Sequence, residues 1–167
     1  MTQTAPEFSL IASAPIFVIT SSVQIVGGPK PMKINKLAFQ ELGGINSEIN
    51  IETYVSVDST TGLVNHTKQM GLTKPPTVTL KRGIDSDLTL WYWHNMALQG
   101  LPNARADVHL DVFGGGIPSI ANSTPMFTYT LQNAWCAKIN IAGAKAGEGF
   151  ITEDVMIACD RIIAGDG

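Results

Sequence analysis

Ala104-Arg105-Ala106-Asp107-Val108-His109-Leu110-Asp111-Val112 alternates strictly between small or apolar residues and polar ones. A period of two places Ala104, Ala106, Val108, Leu110 and Val112 on one face of a strand, with Arg105, Asp107, His109 and Asp111 on the other. Such a strand buries one face and wets the other, the habit of antiparallel sheets. The same pattern runs through Ile49 to Asp58, where Ile49, Ile51, Val55 and Val57 alternate with polar side chains that include Glu52 and Asp58. Weaker versions occupy Ile16 to Val26, Thr77 to Lys81, Phe127 to Leu131, Trp135 to Ile141 and Phe150 to Ile162, each bounded by Gly, Pro or Asn. The expected fold class is mainly β, an antiparallel barrel or sandwich.

One segment breaks the period. Asp85-Ser86-Asp87 supplies acids where a helix N-terminus favours them, and Leu88 to Leu98 ends before Gly100 and Pro102. Leu88, Leu90, Trp91, Trp93, Met96, Ala97 and Leu98 spread around much of that helix. An apolar surface so wide predicts cover on more than one side, either as a plug in its own barrel or as a wedge between subunits. Ser59 to Lys74 reads as a long polar connection, Gly27 to Pro31 as a stiff turn, and Gly114 to Pro125 as an extended linker.

The 167 residues suit one domain, spanning 15–164, preceded by an extension over 1–14. With 44% hydrophobic and 15% charged residues, the chain is too apolar for disorder and poor in charge for a lone subunit. Partners are expected to cover much of its surface. A formal charge of −3 with no basic run gives little attraction for phosphates, which argues against tight nucleic-acid binding. Phe8 to Ile19 is a poor secretory signal, with Glu7 where positive charge belongs, and no stretch has the ~20 apolar residues of a membrane helix. A cytoplasmic product with no membrane insertion is expected.

Candidate chemistry is sparse. Asp107, His109 and Asp111 share a strand face, yet no nucleophile or second ligand cluster accompanies them, so a solvated or subunit-facing stripe is the better reading. His66 and His94 have no assignable partner. Gly114-Gly115-Gly116 lacks the Lys-Ser/Thr of a phosphate loop. Cys136 and Cys159 read as reduced core or interface thiols, and the two Asn-X-Ser/Thr triplets at Asn65 and Asn122 are discounted. No enzyme activity, cofactor or metal is expected.

In order along the chain, several motifs resemble the tube-protein family of contractile phage tails and extracellular injection systems, which is related in fold to the haemolysin-coregulated protein. Val78-Thr79-Leu80-Lys81-Arg82-Gly83, followed by Asp85 and Leu90-Trp91-Tyr92-Trp93, resembles the family's strand, basic pair, glycine and tryptophan-bearing helix. Phe39-Gln40-Glu41-Leu42-Gly43-Gly44, Tyr129-Thr130-Leu131-Gln132-Asn133-Ala134-Trp135 and Ile151-Thr152-Glu153-Asp154-Val155 resemble three further family segments. Cys136 departs from the family's usual proline.

The resemblance implies a barrel with one helix, hexameric rings that stack as a homo-oligomer, and a passive inner tube driven out by sheath contraction. Sheath protein, baseplate or tube-initiating proteins and luminal cargo, either protein effector or DNA, are the implied partners. The particle would assemble in the bacterial cytoplasm and end in a virion tail or injection machine. Subunit or ring contacts are expected at Thr61, Gly62, His66, Lys68, Lys81, Arg82, Asp85, Trp91, Trp93 and Trp135. Lys81 and Arg82 are expected to pair with Asp85 or a neighbour, and Glu52, Asp107 and Asp111 to face the lumen. Alternatives are a secreted ring protein of a type VI-like system and a small β-barrel binding module.

Overall fold

The structure, a computed structural model, describes residues 15–84, 86–115, 120–143, 145–147 and 149–165. Its strands are β1 (Ile16–Ser21), β2 (Gln24–Ile25), β3 (Met32–Lys33), β4 (Leu37–Phe39), β5 (Glu41–Asn46), β6 (Ile49–Val57) and β7 (Val64–Thr73). There follow β8 (Thr77–Gly83), helix α1 (Thr89–Leu98), β9 (Ala106–Phe113), β10 (Phe127–Ile141), β11 (Thr152–Ala158) and β12 (Arg161–Ala164).

The main path of hydrogen-bonded neighbours runs β4-β1-β9-β10-β11-β8-β5, with β12 added on β10. Its two ends meet in the sequence, because β4 and β5 are separated only by Gln40, whose N–H donates to the Lys81 carbonyl at 3.0 Å. The path therefore closes on itself. A closed barrel leaves fewer edges to guard and encloses one core, here Ile19, Leu80, Val108, Leu110, Leu131, Val155 and Ile157 from the inner faces.

Alternation is cleanest where the sequence showed it. Val108, Leu110 and Val112 are buried on β9, and Val78, Leu80 and Arg82 on β8. Ala104 belongs to a short 3-10 turn, Pro102–Ala104, before the strand. The two segments expected at Phe127 to Leu131 and Trp135 to Ile141 are one strand, bent by a bulge between Leu131 and Ala134. Asn133 takes the left-handed conformation there (φ 51°), which Asn tolerates better than most residues, and its N–H donates to the Asp107 carboxylate at 2.9 Å. The bend lets β10 pair with β9 and β12 through its first half and with β11 through its second. Phe150 to Ile162 likewise divides into β11 and β12.

Helix α1 packs against β10 with Leu90, Trp93 and Met96 inward. The Trp93 indole N–H donates to the Ala104 carbonyl at 2.8 Å. Just before the helix, the Asp87 carboxylate accepts the Thr89 N–H at 3.0 Å in a local turn, while the N-cap position is Leu88, which offers no side-chain cap. The outward residues Leu88, Trp91 and Leu98 are exposed, so the wide apolar surface divides into a face that completes its own core and a face left bare.

Ser59 to Lys74 is not a loop. Residues 64–73 form β7, which pairs along its length with β6 as a hairpin, Ile49↔Thr73 at the base and Val57↔Val64 at the tip.

Candidate functional site

The β6–β7 hairpin forms a two-stranded sheet of its own, continuing outward from the β5 and β8 end of the barrel. Its base is held by the Lys74 N–H to the Glu48 carbonyl at 3.0 Å and by the Lys74–Glu48 ion pair at 2.7 Å. Beyond that, nearly every residue is exposed on both faces, with Ile51 at 69%, Met70 at 85% and Leu72 at 80%. The apolar face of β6 that the sequence promised to a core is thus uncovered within the chain. An isolated hairpin is marginal in water, and a ribbon carrying this much apolar surface requires another surface to lie against.

Its tip is nevertheless built. The Asp58 carboxylate accepts N–H groups from Thr60 at 2.7 Å and Thr61 at 3.1 Å, and Gly62 supplies the positive φ of 71° that the turn needs. These bonds hold the fully exposed Asp58 carboxyl below its ordinary value of 3.8. A depressed carboxylate contributes order that is full above the ordinary value and lost as pH falls through the folded one. The protection of the Thr60 and Thr61 amides relative to unstructured amides at the same pH, followed by NMR on unassembled subunits, is expected to fall as pH drops below ~4, and to be lost in Asp58→Ala at every pH. Thr61 and Gly62 sit at this tip. His66 pairs with Val55, Lys68 with Thr53 and Glu52 with Gln69 along the ribbon.

The second feature is a pair of free edges. β5, β8, β11 and the second half of β10 form one half of the barrel wall. Among the described residues no strand pairs with the outer edge of β5 or with that of β10 beyond Ala134. His94 of α1 donates from Nδ1 to the Cys136 carbonyl at 2.9 Å and covers the start of the β10 edge. The outward face of these strands is mostly polar, with Thr77, Thr79, Lys81, Thr152, Asp154 and one apolar residue, Met156, half-buried and Lys138 and Asn140 exposed. Lys81 lies 4.0 Å from Glu41 across β8 and β5.

Asp107, His109 and Asp111 lie on the other half of the wall, and each is occupied locally. Thr128 donates to Asp111 at 2.9 Å, His109 Nδ1 lies 3.2 Å from Thr130 Oγ1, and Asp107 accepts from Asn133. His109 and Asp111 border one open cleft with Thr20 and Thr128 while Asp107 lies outside it, and no group of three or more His, Cys, Asp or Glu among the described residues could hold a metal. Glu52, on the hairpin, shares no face with them. No described helix is long and apolar enough to cross a membrane.

Residues 22–161 match the family model of the T4-like virus tail tube protein gp19, well over half of the chain. The chain belongs to the tail tube family. It is a structural inner-tube subunit. Among solved structures, a chain of the anti-feeding prophage baseplate is similar at TM-score 0.61 and 14% identity, covering 97% of each chain. A chain of the PVC extracellular contractile injection system, in its extended sheath-tube complex, gives 0.58 and 17%, covering 90% of this chain and 88% of that one. A third, from the same system's sheath/tube terminator, gives 0.59 and 16%, covering 97% and 100%. No curated relative matches in sequence.

The tail tube subunit keeps several expected contact residues for itself. Trp93 is wholly buried in its own core, so its side chain has no surface to offer a neighbour. Arg82, expected to pair with Asp85 or with another subunit, is buried and pairs within the barrel. Its Nε donates to Glu153 Oε1 at 2.5 Å, its Nη2 to the Asp87 carbonyl at 3.0 Å, and its guanidinium stacks 5.9 Å from the Phe39 ring centre. Asp85 lies outside the described residues. Trp135 is half-buried beneath Arg105, whose guanidinium sits 4.1 Å from a ring centre, while Asp160 lies 3.7 Å from Arg105. Trp91, by contrast, is exposed beside His94 on the bare side of α1. Cys136 and Cys159 are buried free thiols, pushed by burial up to about 12 and about 11, so both stay protonated and inert at neutral pH. Sequence reasoning missed the free edges and the Glu153 partner, since register decides both.

Proposed function

We propose that this tail tube chain is the repeating subunit of a hollow conduit, closing head to tail into hexameric rings through the free edge of β5 on one copy and that of β10 on the next. The observation that carries this reading is strand direction. β5, β8, β11 and β10 alternate in direction, so β5 of one copy and the second half of β10 of its neighbour would again run antiparallel, and the ladder would continue around the ring without a mismatch. Closure removes two exposed edges per subunit, which are otherwise invitations to irregular aggregation. Trp91, beside the His94 that bonds β10, stands near this seam and is the residue on α1 best placed to meet the adjoining copy.

The inner wall would then be the polar outward face of these strands, around Thr79, Lys81, Lys138, Asn140 and Asp154. Its charges are balanced and its hydroxyls many. A basic wall would hold DNA through counterion release, and an apolar one would trap unfolded protein, so this lining lets either cargo slide. Asp107 and Asp111, on the other half of the barrel, would face outward toward a sheath. The conduit itself is passive, with no catalytic step, and the hairpin would reach from ring to ring. Sheath, baseplate and tube-terminating proteins are the partners proposed on the likeness to injection-system chains, with the finished tube in a virion tail or comparable particle assembled in the bacterial cytoplasm.

Negative-stain microscopy of the purified chain tests this. Rings of uniform diameter, stacking into hollow rods as concentration rises, are expected. A monodisperse monomer at high concentration removes the proposal.

A further inference from the structure

The two ends of β8 carry unlike features. Thr77 adjoins the hairpin base, whereas Gly83 adjoins an uncharged cleft of about 420 Å³ lined by Gln40, Gly83, Ile84, Phe150, Ile151 and Thr152. The Ile84 N–H donates to the Ile151 carbonyl at 2.9 Å, which fixes the cleft's floor to the end of the β8–β11 ladder. Phe150 stands 91% exposed at its rim. A phenylalanine so placed contributes nothing to its own core and raises the apolar surface shown to water. A second cleft of about 480 Å³, with Pro15, Ile16 and Ala38 in its lining, shares Gln40 and Gly83 with the first.

The hairpin presents the matching object at the other end. Val57 and Val64 pair directly across its tip and Leu63 stands beside them, all three exposed. The turn is held by Asp58, whose charge is satisfied by the Thr60 and Thr61 N–H groups, so the tip is ordered before it meets anything. A preformed apolar knob loses little entropy on docking. With nine residues in β6, the knob stands roughly 30 Å beyond the barrel, far enough to enter a neighbouring copy. In a stack of uniform polarity, whatever one end of a subunit presents, the opposite end of another must receive.

We propose that the Ile84–Phe150–Ile151 cleft is the socket for the Leu63 tip of a second copy in the adjacent ring, which sets the direction of stacking. This rests on the tube reading above and adds the receiving site. The ring seam and the socket use different residues, so their failures separate.

Leu63→Cys and Phe150→Cys proteins are mixed, allowed to assemble and oxidised. A disulfide-linked dimer is expected in the mixture and not in either protein alone, the native thiols being buried. Phe150→Asp is expected to keep rings while needing roughly tenfold or more protein to form rods. Rods at the wild-type concentration from Phe150→Asp, with no cross-link in the mixture, overturn the socket and leave the ring reading intact. Slow thiol labelling of Phe150→Cys in unassembled subunits also overturns it, because the cleft would then be closed within the subunit. Absence of rings from the wild-type chain removes the reading beneath it.

Discussion

Ile141→Pro is expected to leave a folded subunit that no longer closes into rings. Ala142 N–H donates to the Thr152 carbonyl at 2.9 Å, which marks that pair as hydrogen-bonded within the β10–β11 ladder. Because antiparallel bonds alternate, Ile139 and Ile141 turn their N–H and carbonyl groups the other way, toward the free edge. Proline at 141 therefore removes no bond inside the subunit. It does delete a donor from the seam and place a pyrrolidine ring where the neighbour's β5 backbone must approach. Ile141 is half-exposed, so its loss from the core is small. A lost ladder bond is worth only about 1 kcal/mol at one seam, but a closed ring repeats the defect at every seam and the clash adds to each. Sedimentation should show monomer with an unchanged β circular-dichroism spectrum, and microscopy an absence of annuli. Wild-type rings from Ile141→Pro would place the seam elsewhere on the barrel.

Legibility in the sequence followed burial. β8, β9 and β11 were readable because one face packs a core inside the same chain, which is the condition that produces strict alternation. β6 alternates just as well, yet its apolar face is bare. Periodicity reports that a strand has two unlike faces and is silent on whether the cover comes from the same molecule. The sequence of β7 resembles a loop since Asn65, His66, Thr67, Lys68 and Gln69 carry no apolar face at all, and it is a strand because β6 beside it supplies the ladder. The bulge at Asn133 and the short β4 and β5 depend on register with distant segments. The same holds for the site. The hairpin tip lay within a segment singled out for its length, whereas free edges are a property of topology that no local pattern encodes. Trp91 and Trp93 show the limit in miniature, two positions apart on one helix, with Trp93 in the core and Trp91 on the bare side.

The buried Arg82–Glu153 pair should produce the largest change in subunit stability. Both side chains are almost fully enclosed, opposite one another on β8 and β11. Taking two charges from water costs several kcal/mol each, which the contact at 2.5 Å, the bond from Arg82 to the Asp87 carbonyl and the Phe39 face offset together. Removing one partner leaves the other charged, enclosed and without its counter-ion. Glu153→Ala or Arg82→Ala is therefore expected to cost about 3–5 kcal/mol, read as a lower urea midpoint of the unassembled subunit. Replacing both by apolar residues of similar volume, Arg82→Met with Glu153→Leu, relieves the stranded charge and should restore most of the loss. The double-mutant cycle would thus be strongly non-additive. The pair also ties the β8–β11 ladder to the chain just before α1, through the Asp87 carbonyl. The single substitutions should accordingly loosen the Gly83 end of the barrel, while the double apolar variant keeps the ladder but loses the Arg82 tether to Asp87. Additive losses in the cycle would mean that the two side chains act separately, with water reaching the pair in solution.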